Sequence, residues 1–326
     1  MKRFAITGFS GFVARFFVDY LYNERIQCEV LGLSRDTPLY DYSRYSDRIS
    51  VSFRIVDLVD KEALRNALRD FKPDYMLHLA AFSSVAYSWK HPTESFTNNS
   101  NLFLNLIDVI REVSPSCRVL SVGSSEEYGN VSKEDLPIRE NQALEPLSPY
   151  AVARVSQELM SRVYVNAFGM DIIMTRSFNH IGPGQDNRFV VPSFIDRIVR
   201  IKESGLLNGE VETGDISIIR DFVDVRDVVR AYYLLLERGR TGEVYNVCSG
   251  KAYKLSEIID CISEIVGVKV TITVNPDYIR PNDNKEIVGS HYKISAELGW
   301  EPLIDYKDTI RDMISFREEN TNNDKY

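Results

Sequence analysis

The sequence predicts an α/β protein, a doubly wound parallel sheet joined to a smaller second α/β region. Three observations carry this. Short apolar runs alternate with helical patterns up to about residue 176. A glycine-spaced turn links the first such run to the first helix. The regularity then falls away after about residue 177.

Taken in order, Phe4-Ala5-Ile6 is a first strand ending at Thr7-Gly8, and residues 12–22 read as a helix. Residues 29–33 and 52–56 are the second and third strands. Asp60 then caps a helix that places Ala63, Leu64, Ala67, Leu68 and Phe71 on one face. Residues 75–80 form a fourth strand, 102–110 a helix, 118–122 a fifth strand, 150–168 a long helix and 172–175 a sixth strand. Alternation at this pace buries a parallel sheet under helices on both faces. Beyond it, 194–202, 225–237, 255–266 and 306–317 read as helices, and 243–247 and 268–274 as strands. The expected division is 1–176 with 221–249 as a nucleotide-binding domain, and 177–220 with 250–317 as a substrate domain. The tail 318–326 is polar and expected to be disordered.

Composition narrows the function. The 326 residues carry 47 acidic against 39 basic side chains, a net charge of −8, which argues against nucleic acid as a partner. Cys28, Cys117, Cys248 and Cys261 are scattered, and the four histidines lack ligand spacing, so neither disulfides nor a metal site is expected. The start MKRFAITGF enters a strand directly and no apolar run suits a membrane span. A cytoplasmic protein without membrane contact is the expectation.

The turn Thr7-Gly8-Phe9-Ser10-Gly11-Phe12-Val13-Ala14 has the context of a dinucleotide phosphate loop at the head of a Rossmann-type fold. Gly8 allows the tight turn and Gly11 the approach of a pyrophosphate to a positive helix end, with Ser10, Phe12 and Val13 around it. Ala14 is small enough for helix and strand to pack. At the end of the second strand, Ser34-Arg35 suits the 2′-phosphate of NADP, whereas Asp36, one step on, leaves NAD possible.

A second constellation follows the fifth strand: Ser121-Val-Gly-Ser124-Ser125-Glu126-Glu127-Tyr128-Gly129, then Ser148-Pro-Tyr150-Ala-Val-Ala-Arg154. Tyr150 and Arg154 lie four apart on one helical face, where the cation favours the phenolate and helps Tyr150 act as acid or base. Alone they are an ordinary surface pair. Ser124, at the carboxyl end of a strand, gives them a partner where open α/β sheets bind ligands. The cluster Tyr40, Tyr42, Tyr45 with Arg44 and Arg48 reads as a variable surface loop rather than a lid. Tyr87 and Trp89 suit either a sugar site or ordinary packing.

At these residues the chain resembles the extended short-chain dehydrogenase/reductase family over essentially its whole length. The likeness extends through Leu77-His-Leu-Ala-Ala81, Arg176-Ser-Phe-Asn-His-Ile-Gly-Pro-Gly184, Arg220-Asp-Phe-Val-Asp-Val225, Tyr245-Asn-Val-Cys-Ser-Gly250, Arg280-Pro-Asn-Asp283 and Leu298-Gly-Trp-Glu-Pro302. It is most similar to the GDP-sugar branch, and there to the 4-keto-6-deoxy-mannose reductases rather than the 4,6-dehydratases. The resemblance implies Tyr150 as proton donor, Ser124 as its hydrogen-bonding companion and Arg154 beside them. It implies Asp57 and Leu58 at the adenine, Leu79, Ala80 and Ala81 along the cofactor, and Phe178 near the nicotinamide. Ser83, Asn179, Val190, Arg220, Arg280 and Asp283 would hold a GDP-sugar, and two long helices would form a four-helix homodimer contact.

Three features depart from the family. Ala14 replaces a glycine. Leu102-Phe103 replaces Gly-Thr, which implies altered packing near the dimer contact. Arg154 replaces lysine, keeping charge but losing proton relay at ordinary pH. The resulting expectation is NADPH-dependent reduction of the C4 ketone of a GDP-4-keto-6-deoxy-hexose to GDP-rhamnose, for surface polysaccharide. Glu126 keeps a 4,6-dehydratase open, and Arg154 a decayed dinucleotide-binding regulator.

Overall fold

The computed structural model describes residues 1–38, 40–279 and 284–323. In the first half, β1 (Lys2–Thr7), α1 (Phe12–Asn23), β2 (Cys28–Ser34), β3 (Ile49–Ile55), α2 (Lys61–Phe71) and β4 (Tyr75–His78) come first. Then follow α3 (Val85–Lys90), α4 (Pro92–Val113), β5 (Arg118–Ser124), α5 (Pro149–Phe168) and β6 (Ile172–Ser177). The second half holds β7 (Asn179–Ile181), α6 (Val190–Glu203), β8 (Asn208–Thr213), β9 (Ile219–Arg220), β10 (Phe222–Asp224) and α7 (Val225–Arg238). It ends with β11 (Val244–Val247), β12 (Tyr253–Lys254), α8 (Leu255–Val266), β13 (Lys269–Val274), β14 (Glu286–Ile287), α9 (Tyr292–Leu298) and α10 (Tyr306–Asn323).

The predicted parallel sheet is present, with strand order β3-β2-β1-β4-β5-β6-β11 and every pairing parallel. One face is covered by α1 and α7 through Phe17, Val18, Leu21, Val228, Tyr232 and Leu235. The other is covered by α2 and α4 through Leu64, Leu68, Leu106, Ile107 and Ile110. A separate apolar cluster (Ile195, Ile198, Ile258, Ile262, Ile310, Ile314) joins α6, α8 and α10. Register decides where chemistry can sit. Thr7, His78 and Ser121 are aligned across β1, β4 and β5, while Ser124 faces Ser177 three residues further on. The ends of β5, β6 and β11 therefore project beyond those of β1 and β4.

Local signals explain the principal helix ends. Asp60 accepts the Ala63 amide at 3.0 Å, and Ser148 accepts that of Ala151 at 3.1 Å ahead of Pro149. Gly169 closes α5 in the left-handed region at φ 66°.

Several expectations need correction. α4 begins at Pro92, ten residues before the predicted start, because its first turns bury polar Ser95 and Asn99 and show no apolar period. The chain does not lose structure after Arg317 within the described residues: α10 continues through Asn323, and Glu318 pairs with Lys202 at 3.1 Å. The tyrosine cluster is no loose surface loop. Gly32 leaves space for the Phe9 ring, Tyr42 stacks on Phe9 at 4.5 Å, and Tyr45 is buried in the core. Leu102 and Phe103 are buried, with Phe103 packing 5.5 Å from His78.

His78 is the core residue expected of it. Thr7 Oγ1 accepts amides from Leu79 and Ala80 at 3.1 Å each, so its own proton goes to His78 Nδ1 at 2.8 Å. Burial, and then the Arg154 charge, pushes the imidazole down to about 3. The unfolded chain takes up this proton near pH 6.5 and the folded one does not. The stability contributed is thus complete above pH 6.5 and is lost as pH falls below it. Urea titrations at pH 6.5 and 5 should show about 2 kcal/mol more loss for wild type than for His78→Gln. Equal losses would show that His78 accepts its proton in the folded state.

Candidate active site

β1 delivers the chain to the phosphate loop. Gly8 adopts φ +69°, and a Cβ there would lie 2.9 Å from the Ala80 amide, so only glycine fits against the backbone leaving β4. Gly11 N donates to Gly8 O at 2.9 Å and closes the turn. Gly11 also caps α1 without any side-chain bond to the first-turn amides. Those amides, flanked by half-buried Ser10, Phe12 and Val13, form a cradle that fits a pyrophosphate. Ala14 is fully buried, as close helix–strand packing requires.

Past β2, the Ser34 hydroxyl donates to Asp36 O at 2.6 Å and is occupied. Arg35 is exposed, its guanidinium 4.9 Å from the Phe82 ring, with no carboxylate partner among the described residues. Arg35 rather than Ser34 is therefore the group available to a 2′-phosphate. Asn105 of α4 donates to the carbonyls of Leu58 (3.1 Å) and Val59 (2.9 Å), fixing the turn in which Asp57 is exposed and Leu58 buried. Ala80 and Ala81 are half-buried at the end of β4, and Leu79 packs into the core behind them. Asn99, which the motifs did not single out, brackets Phe82 by accepting its amide at 2.9 Å and donating to its carbonyl at 3.4 Å.

Tyr150 and Arg154 are seated by buried polar groups. Arg154 is 5% and Tyr150 7% exposed, and Arg154 Nε donates to Tyr150 Oη at 3.2 Å. Arg154 Nη1 donates to Val122 O at 3.2 Å and Gln157 Oε1 at 2.7 Å, which ties α5 to β5 two residues before Ser124. Ser124 Oγ accepts the Glu126 amide at 3.2 Å, and Glu127 Oε1 accepts the Ser124 amide at 2.7 Å. A Cβ at Gly123 would meet Glu127 Oε1 at 2.4 Å, so this glycine makes room for that carboxyl.

Glu127 and Gln157 are functional neighbours that motif reading missed. Gln157 stands three residues after Arg154, a spacing that places it on the same helical face. Glu127 had no such signal, because the adjacent Glu126 drew the attention. It is fully buried, and its Oε2 has no hydrogen-bond partner among the described residues. Burial, then the like charge of Glu158, holds it well above the usual carboxylate range. Glu158 itself accepts two bonds from Arg176, each 2.8 Å, and one from Arg162 at 2.8 Å.

On the substrate side, Ser83, Asn179 and Val190 are exposed after β4, at β7 and at the start of α6. Glu126 is half-buried beside Ser124. Arg220 is buried, its Nη1 on the carbonyls of Ile219 (3.0 Å) and Asn284 (2.7 Å). The Phe178 ring is covered by Tyr128, Cys248 and Ile287, so a cofactor contact there falls to its backbone. Tyr87 stacks on His91 at 4.4 Å and donates to Glu94 at 2.9 Å, while Trp89 stays exposed. Arg280 and Asp283 lie outside the described residues.

Residues 5–313 match the family described as GDP-mannose 4,6 dehydratase. The chain belongs to that family. It is 32% identical to the GDP-6-deoxy-D-mannose reductase of Pseudomonas aeruginosa, with 96% of each chain covered. It is 24% identical to the GDP-mannose 4,6-dehydratase of Yersinia enterocolitica, covering 97% of this chain and 93% of the relative. A structure of RMD from Pseudomonas aeruginosa complexed with NADPH superposes with a TM-score of 0.83 at 30% identity, covering 98% of both chains. The UDP-glucose 4-epimerase of Thermotoga maritima, solved with UDP-glucose, gives 0.86 at 25% identity over 98% of this chain and 99% of that one.

Replacing Glu127 by leucine leaves the Ser124 amide buried without an acceptor and should cost about 1–3 kcal/mol in a denaturant titration. Glu127→Gln keeps an acceptor and removes the like charge. It should match or exceed wild type at pH 9, and a deficit there would show that the carboxylate charge itself is required.

Proposed function

We propose that the protein is a cytoplasmic, NADPH-dependent reductase of the C4 ketone of a GDP-4-keto-6-deoxy-hexose, forming GDP-rhamnose for surface polysaccharide. The observation that carries this reading is the buried Arg154–Tyr150 pair tied to the strand that ends at Ser124. The likeness to the Pseudomonas aeruginosa reductase supports the choice of substrate. Arg35 supports NADP over NAD, as does the NADPH complex of the structural relative.

When bound, NADPH supplies the hydride. Tyr150 Oη holds the proton that the sugar O4 takes as the carbonyl becomes an alkoxide. Ser124 Oγ lies at the strand end, positioned to hydrogen-bond the same oxygen. Arg154 remains charged throughout, stabilises the phenolate left on Tyr150 and positions the ribose. Tyr150 is then reprotonated from solvent. Arg220, Arg280, Ser83, Asn179, Val190 and Asp283 are assigned to the sugar nucleotide.

We further assign a homodimer through α4 and α5. The exposed residues Val152, Leu159 and Val163 form an apolar stripe along α5, with Phe96 exposed on α4. Among the described residues no helix is long and apolar enough to cross a membrane, and the four cysteines are free and buried. Both fit a reducing, aqueous compartment.

The purified protein should oxidise NADPH when given GDP-4-keto-6-deoxy-mannose and leave GDP-mannose unchanged. Conversion of GDP-mannose to the keto sugar would instead assign Glu126 to water elimination. Cofactor binding without either reaction would make the protein a regulator. Tyr150→Phe should lower kcat at least a hundredfold with little change in affinity for NADPH. Leu159→Glu should halve the mass seen by light scattering, and an unchanged mass would place the contact elsewhere.

A further inference from the structure

We propose that Gln157 is a positioning residue that makes Arg154 competent beside Tyr150. The proposal rests on the reading of Tyr150 and Arg154 as the reacting pair. Gln157 is buried on α5, with no direct claim on Tyr150. Its Oε1 accepts from Arg154 Nη1 at 2.7 Å. Its Nε2 donates to Ser121 Oγ at 2.9 Å and Val122 O at 3.1 Å, and Ser161 Oγ bonds Ser121 Oγ at 3.2 Å. Gln157 is thus anchored to β5 by the two hydrogens of Nε2 while it holds the guanidinium by Oε1.

The consequence follows from the shape of arginine. A guanidinium is planar, with five N–H groups in a rigid fork. Nε spends its single hydrogen on Tyr150 Oη. Nη1 spends both of its own, on Val122 O and Gln157 Oε1. With these two nitrogens fixed, the plane and the third nitrogen are fixed too. Nη2 has no hydrogen-bond partner among the described residues and is not sealed from solvent. Its two donors are what remains for a vicinal diol such as the cofactor's ribose.

An ammonium on a flexible stem needs no such clamp, because its three donors rotate freely. The role of Gln157 is therefore specific to arginine at position 154. Without the glutamine acceptor, the fork can rotate about Cδ–Nε, leave Tyr150 misaligned and turn Nη2 away from the diol.

A double-mutant cycle tests this, with Gln157→Met placed in wild type and in Arg154→Lys. The first readout is the dissociation constant of NADPH, followed by its fluorescence and repeated with NADH if that binds tighter. The second is kcat on the keto sugar. In the arginine protein, Gln157→Met should raise the constant about fivefold or more and lower kcat about ten- to a hundredfold. In the lysine protein, the same change should cost less than about threefold in each. Equal losses in both backgrounds, or no loss in either, overturn the proposal. Should the methionine protein fail to fold, Ser121→Ala decides. It removes one of the two acceptors that anchor Gln157 Nε2. It should weaken NADPH binding at least about threefold with arginine at position 154 and stay within about twofold with lysine there. Equal effects in the two backgrounds overturn the proposal. If wild type binds NADPH but reduces no keto sugar, the reductase reading falls while the binding cycle still decides the role of Gln157.

Discussion

The burial of Arg154 is the constraint on which the site depends. An isolated charge withdrawn from water costs several kcal/mol unless hydrogen bonds replace its solvent. Among the described residues none of the direct partners of Arg154 is a carboxylate: they are the Tyr150 hydroxyl, the Val122 carbonyl and the Gln157 amide. Arg176, nearby on β6, takes the opposite course and forms a two-point pair with Glu158. Neutral acceptors satisfy these N–H groups without setting an opposite charge against the guanidinium.

The same cluster sets the Ser124 turn. Glu127 accepts the Ser124 amide and fits behind it only because residue 123 is glycine. Its carboxyl is buried with Glu158 on one side and the two guanidinium groups within electrostatic reach. Ser124, Tyr150 and Arg154 are therefore not three independent placements. They hang on one polar layer between α5 and the ends of β5 and β6. The phosphate loop is built on a parallel plan, where Thr7 gathers His78, Leu79 and Ala80 and leaves Gly8 pressed against the strand beside it.

What was legible in the sequence was local. The phosphate loop is a run of eight residues whose glycines each do a backbone task, and Tyr150 with Arg154 is a helical spacing, so both survive translation from text to structure. The α4 start was hidden because its buried face is made of Ser95 and Asn99, whose fit depends on Phe82 and not on hydrophobic period. The continuation of α10 was hidden because the bonds that hold it, such as Lys202 to Glu318, join residues far apart in the chain. The tyrosine loop was misread for the same reason: nothing near Tyr42 announces that Gly32 has opened a slot for Phe9. Gln157 and Glu127 are polar residues among polar residues until burial singles them out.

Arginine in a lysine position would ordinarily argue for a weakened enzyme, since the fork is longer, flatter and cannot relay a proton. The surroundings argue otherwise. Nε meets Tyr150, and both hydrogens of Nη1 are taken by groups on β5 and α5. A decaying site has no reason to keep a buried cation in such company, because a buried charge with unpaired donors destabilises the fold that carries it. Selection for folding alone would favour replacing it with an apolar side chain, often at a gain in stability. Its retention, with a tyrosine hydroxyl as acceptor and with donors left over, is understandable if the charge is used. The fixed geometry also changes what the residue can do. Lysine is a movable donor on a flexible stem, while this arginine holds a set angle to the Tyr150 hydroxyl.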